Sequence, residues 1–103
     1  KGNIIKEFLL DFKKDSIITY KVKLKAGRFY VIDFGTKGKS NQGIIVSLLR
    51  NGFYFKRGRY DAEADVQFPI RIPVPSNANY TIIFSYLKDY IQDYCAGAIL
   101  IEY

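Results

Sequence analysis

The sequence predicts an all-β protein: an antiparallel β-sandwich, jelly-roll-like, of about eight strands, in a single domain spanning residues 1–103. Three observations carry that expectation. Apolar side chains recur at every second position in segment after segment, which is the period of a half-buried strand. Clusters of Gly, Pro, Asn and Ser separate those segments at short intervals. No stretch repeats apolar residues at helical spacing over a convincing length.

Ile4, Lys6, Phe8, Leu10 and Phe12 alternate with Ile5, Glu7, Leu9 and Asp11 and open the sequence as a strand, followed by the polar turn Lys13 to Ser16. Ile18, Tyr20, Val22 and Leu24 alternate with Thr19, Lys21, Lys23 and Lys25; the pattern breaks at Ala26-Gly27 and resumes with Tyr30, Ile32 and Phe34. This reads as one antiparallel hairpin with a greasy face and a basic face, Gly27 taking a positive φ at its tip. Residues 35–43, GTKGKSNQG, hold no large apolar side chain and read as an open loop.

Ile44, Val46 and Leu48 resume the alternation up to Asn51-Gly52, the strongest turn signal present, because both residues tolerate the left-handed angles of a type I′ hairpin. Phe53 to Lys56 is the expected return strand, and residues 57–65 are expected to be loop. Val66, Phe68, Ile70, Ile72 and Val74 form the next stripe. Pro69, Pro73 and Pro75 on its other face mark an edge strand, since proline donates nothing to a ladder. Tyr80, Ile82, Phe84 and Tyr86 point inward on the following strand, residues 87–95 read as loop, and Gly97, Ile99, Ile101 and Tyr103 close the fold.

At 103 residues the protein is long enough to bury roughly two-thirds of its unfolded surface without staples. A 17% share of Phe and Tyr suits the space between two sheets, where large rings fill the gap. Cys95 is the only cysteine, so no internal disulfide forms, and its place before an apolar run predicts a buried thiol. The sequence has no His, no phosphate loop and no cofactor fingerprint, so no catalytic residue, metal or cofactor is assigned. Asp61, Glu63, Asp65, Asp89 and Asp93 match no calcium-loop spacing, although a small hydrolase using such loop carboxylates is a second alternative function. Asn79-Tyr80-Thr81 matches a glycosylation acceptor that matters only in a eukaryotic secretory route.

No run of apolar residues approaches a membrane span, and the absence of any Met suggests a processed or excised polypeptide, as in a mature secreted protein. Net charge is +6, with 14 basic residues against four acids in residues 1–59 and two against six in the remainder. Such an excess draws polyanions.

If successive strands run antiparallel, the short turns at Ala26-Gly27, Asn51-Gly52 and Ser76–Asn79 gather at one end and the long loops at the other. Long loops on a rigid scaffold are where binding usually resides. The ligand-binding candidates are therefore Lys37, Lys39, Asn41, Arg59, Tyr60, Tyr90 and Tyr94, with Tyr54 as a further ring. A second candidate surface is the basic outer face made by Lys21, Lys23, Lys25 and Arg28. It could track sulfated glycan, but nucleic acid is disfavoured because no aromatic residue is interleaved there for bases to stack on.

The run Tyr20-x-Val22-x-Leu24-x-Ala26-Gly27, then Tyr30-x-Ile32-x-Phe34, Val46-x-Leu48 with Asn51-Gly52, and finally Tyr80-x-Ile82 resembles the bacterial pre-peptidase C-terminal domain. The likeness covers roughly residues 17–103. It implies a jelly-roll-like sandwich appended to secreted hydrolases, and it assigns no functional residue, because Asn79 stands where the family often has Gly before Tyr and no dense acidic calcium loop is present. The expected function is thus a non-catalytic binding or accessory domain of a secreted or cell-surface bacterial protein. Its expected partner is a glycan or an extended extracellular polypeptide; the first alternative is an assembly module docking on a neighbouring domain.

Overall fold

The computed structural model describes residues 2–34, 43–60, 70–89 and 95–103, with the side chains of residues 34 and 54–60 outside that description. Eight strands follow one another: β1 (Asn3–Asp11), β2 (Ile18–Leu24), β3 (Phe29–Phe34), β4 (Ile44–Arg50), β5 (Phe53–Tyr60), β6 (Ile70–Pro73), β7 (Ala78–Tyr86) and β8 (Cys95–Glu102). They form two four-stranded antiparallel sheets, ordered β1-β8-β3-β6 and β2-β7-β4-β5. Successive strands lie in opposite sheets at every step except β4 to β5, which is the jelly-roll arrangement of the sandwich. The sheets remain separate, so the fold is not a closed barrel.

The alternation places the core as expected on most strands. Phe8 and Leu10 from β1, Leu24 from β2, Tyr30 and Ile32 from β3, Ile44, Val46 and Leu48 from β4, Ile70 and Ile72 from β6, and Tyr80, Ile82 and Phe84 from β7 are buried between the sheets. Tyr20 and Val22 are half-buried against them. Rings bridge the two layers: Phe8 of β1 lies 4.6 Å from Tyr20 of β2 and 5.4 Å from Phe84 of β7, centroid to centroid. Such tilted contacts between sheets add to the area term.

Several expectations need correction. The segment Ile18–Phe34 is not a hairpin. Its first strand, β2, pairs with β7 and its second, β3, pairs with β8 and β6, so Ala26-Gly27 is a corner between sheets. Gly27 does take the positive φ, 75°. Strand β5 runs on to Tyr60, so Arg57 to Tyr60 are ladder residues opposite Ser47 to Ile44 and not loop. On β8 the face is inverted: Ala96, Ala98 and Leu100 point inward while Gly97, Ile99 and Ile101 lie outside. The register explains it, since Ala96 and Ala98 stand opposite Leu10 and Phe8, whose bulk leaves room only for methyl groups on the neighbouring strand. Cys95, one residue before Ala96, consequently points out and is exposed, not buried. The stripe at Val66 and Phe68 lies outside the described residues.

The Asn51-Gly52 hairpin is as expected, with φ of 51° and 86° at the two turn residues. So is the edge position of β6, which among the described residues pairs only with β3 and carries an exposed Pro73. The other edge of that sheet, β1, is blunted differently. Its register slips between Ile4 and Lys6, and Lys6, opposite the core residue Leu100, carries its ammonium out over the Tyr20 and Phe8 rings at 5.7 and 6.0 Å. A bulge and an inward-register charge both discourage pairing with another polypeptide.

Candidate basic trough

The three short turns meet at one end of the sandwich and are tied together by hydrogen bonds. The Gly27 amide donates to the Val74 carbonyl at 2.9 Å, and the Val74 amide donates to the Arg28 carbonyl at 3.3 Å. The Ala26 amide donates to Asn77 Oδ1 at 2.6 Å, and Arg50 Nη2 donates to Ser76 Oγ at 2.6 Å. The Asn51 amide donates to the Asn79 carbonyl at 2.7 Å, while the Asn79 amide donates back to Asn51 Oδ1 at 3.1 Å. These bonds fix the hairpin tip over the outer face of the second sheet.

Beside that tip lies an open trough of about 630 Å³, lined by Lys21, Val22 and Lys23 of β2, Asn79, Tyr80 and Thr81 of β7, and the Asn51-Gly52 turn. A second depression of about 470 Å³ shares Lys23, Asn51 and Asn79 with it and adds Leu24, Lys25, Asn77 and Ala78. The two adjoin at those shared residues, and each is of the size that small ligands and oligosaccharide units occupy. The register accounts for the hollow. Lys21 faces Thr81 and Lys23 faces Asn79, so short side chains form a floor between long lysines and the overhanging turn.

The chemistry of the lining is one-sided. Among the described residues it holds three ammonium groups and no carboxylate. Asn51 and Asn77 each spend their side-chain oxygen on a backbone N–H, which settles their amide orientation and leaves the NH₂ group as the outward function. Lysines two apart on an extended strand are spaced by about 7 Å. The surface thus presents a row of donors and positive charges with almost no competing acceptor.

Behind the trough, Tyr30 anchors the end of β2 to the other sheet. It accepts from the Lys25 amide at 3.1 Å and donates to Glu102 Oε2 at 2.8 Å. Burial pushes its phenol above the ordinary value; the Lys25 amide bond opposes that shift, and the Glu102 carboxylate adds to it.

Of the basic outer-face candidates, Lys21, Lys23 and Lys25 come together in the trough. Arg28 does not line it, lying past the corner where the backbone enters the other sheet. Lys37, Lys39, Asn41, Tyr90 and Tyr94 lie outside the described residues, as do Asp61, Glu63, Asp65 and Asp93. Arg59 and Tyr60 are placed only as backbone of β5. Among the described residues no group of three or more His, Cys, Asp or Glu gathers as a metal site would, and no helix is long and apolar enough to cross a membrane.

Sequence reasoning treated Asn51, Gly52 and Asn77 as turn residues, and Asn79 and Thr81 as turn and strand residues within a glycosylation match, none of them as part of a binding surface. The usable signal was three asparagines in two turns assigned to the same end. It also missed Phe53, which follows Gly52 and is 78% exposed, an aromatic ring at the hairpin tip. Comparisons with family models, with curated proteins and with solved structures find no significant match to this protein.

Proposed function

We propose that this is a non-catalytic binding domain of a secreted or cell-surface bacterial protein, recognising an anionic glycan, sulfated or uronic, along the trough between β2 and the β4–β5 turn. The carrying observation is the lining itself: Lys21, Lys23 and Lys25 beside outward asparagine amides and Thr81, with no carboxylate among them. Ammonium groups meet sulfates or carboxylates, amide NH₂ groups meet hydroxyl and ring oxygens, and the one-sided charge steers the ligand in. Resemblance to an accessory domain of secreted hydrolases agrees with this reading.

The test is retention on immobilised heparin, a sulfated glycan, eluted with salt. Lys21→Gln, Lys23→Gln and Lys25→Gln each weaken binding about two- to five-fold, the range for an exposed ion pair, and together they abolish retention at physiological salt. A Lys13→Gln/Lys14→Gln control, in the turn at the opposite end, keeps wild-type elution. Equal losses from both sets would mean that net charge alone is being read, and the proposal would fail.

A second reading, docking of the first sheet on a neighbouring domain, is favoured by its outer face, where Leu9, opposite Gly97, is 77% exposed and Ile4, opposite Ile101, is 57% exposed. Light scattering with wild type and Leu9→Lys separates that reading from glycan binding.

A further inference from the structure

We propose that Asn51 is a deamidation site whose conversion weakens the trough's hold on anions, a regulation that rests on the reading above. Asn51 precedes Gly52, both are exposed, and no atom lies within 4 Å of where a Gly52 side chain would begin. Gly52 has no side chain of its own to crowd its amide nitrogen. Base removes its proton, and the nitrogen attacks Asn51 Cγ. A C–N bond closes a five-membered imide while the bond from Cγ to Nδ2 breaks and ammonia leaves, taking a proton from water. Water then opens either imide C–N bond and leaves aspartate or isoaspartate.

The surroundings select this asparagine. In the closed turn the Asn79 amide donates to Asn51 Oδ1 at 3.1 Å and fixes the orientation of the side-chain amide. Asn77 and Asn79 precede Ala78 and Tyr80, whose Cβ atoms crowd the attacking nitrogen, and Asn79 is held in the ladder opposite Lys23. Attack requires Asn51 to leave its turn angles, so the reaction proceeds through brief opening of the hairpin tip and runs slower than in the unfolded state.

The product is matched to the site. Aspartate tolerates the same left-handed angles, keeps the turn, and still accepts from the Asn79 amide. It also puts a negative charge among Lys21, Lys23 and Lys25, where it competes with the ligand. In the aspartate product the turn survives and the charge that attracts anions is partly cancelled; isoaspartate carries the same negative charge but lengthens the turn's backbone by one methylene.

Two measurements test this. Folded protein is held at mildly alkaline pH and mapped by peptide mass spectrometry with isoaspartyl methyltransferase labelling. In parallel, Asn51→Asp and Asn51→Gly are run on the heparin column. Conversion should appear at position 51 well before positions 77 and 79. Asn51→Asp should keep the wild-type melting temperature and bind about two- to five-fold more weakly, the worth of one exposed charge pair. Asn51→Gly, which also fits the turn but adds no negative charge, should weaken retention less than Asn51→Asp does. Asn51 persisting while the other asparagines convert would overturn the site, and Asn51→Asp eluting with wild type would overturn the switch. A wild-type protein never retained by heparin would instead sink the glycan reading and the switch with it, while the conversion map would stand as a separate result.

Discussion

Tyr30 donates its phenol proton to Glu102, its cross-strand neighbour on β8, at 2.8 Å, while accepting from the Lys25 amide just beyond β2. One hydroxyl therefore joins the second sheet's edge to two strands of the first. With its side chain 1% exposed, loss of the hydroxyl strands a backbone donor and a carboxylate together.

Tyr30→Phe should cost about 1–3 kcal/mol at neutral pH in chemical denaturation, as expected for a buried bond to a charged acceptor. The pH dependence has a defined sign. Burial raises the folded-state pKa above the ordinary 10.0, so the native protein holds this proton longer than the unfolded state does. The stabilisation is complete below that ordinary value and declines as pH rises through the folded value. The stability difference between wild type and Tyr30→Phe should accordingly narrow in alkaline solution, a comparison in which the other titrating groups cancel.

The face of β8 can be checked by a matched pair. Leu100→Ala removes a fully buried side chain and should cost about 2–5 kcal/mol, the range for core truncations. Ile101→Ala, on the half-buried outer face, should cost clearly less in the same denaturant series. The reverse order would restore the face expected from the sequence.

Much of the fold was legible because alternation reports which side chains share a face. It assigned Leu24, Val46, Leu48, Tyr80, Ile82 and Phe84 to the core, and Asn51-Gly52 to a hairpin. Alternation does not report which strands are neighbours. Two strands joined by Ala26-Gly27 look alike whether the turn keeps them in one sheet or carries the backbone across to the other. On β8 the larger residues Ile99 and Ile101 outweighed the alanines, although packing against Phe8 and Leu10 required the small residues inside. The lysines of the site were visible as a stripe. The trough was not, because its floor of Asn79 and Thr81 and its overhanging turn belong to strands distant in sequence.

Cys95 offers a simple check on that inverted face. Exposed at the start of β8, with Sγ 3.9 Å from Asp11 Oδ1, it should react with a water-soluble disulfide reagent in the native protein, one thiol per molecule and without denaturant. Reaction only after unfolding would put the thiol inside and shift the whole strand by one residue.

Titration of ¹⁵N-labelled protein with a size-defined sulfated oligosaccharide tests the account most directly. Amide shifts should concentrate at residues 21–25, 51–53 and 77–81, fade with added salt and vanish in the Lys21→Gln/Lys23→Gln/Lys25→Gln protein. Shifts centred on the opposite end of the sandwich, or none at millimolar ligand, would contradict it.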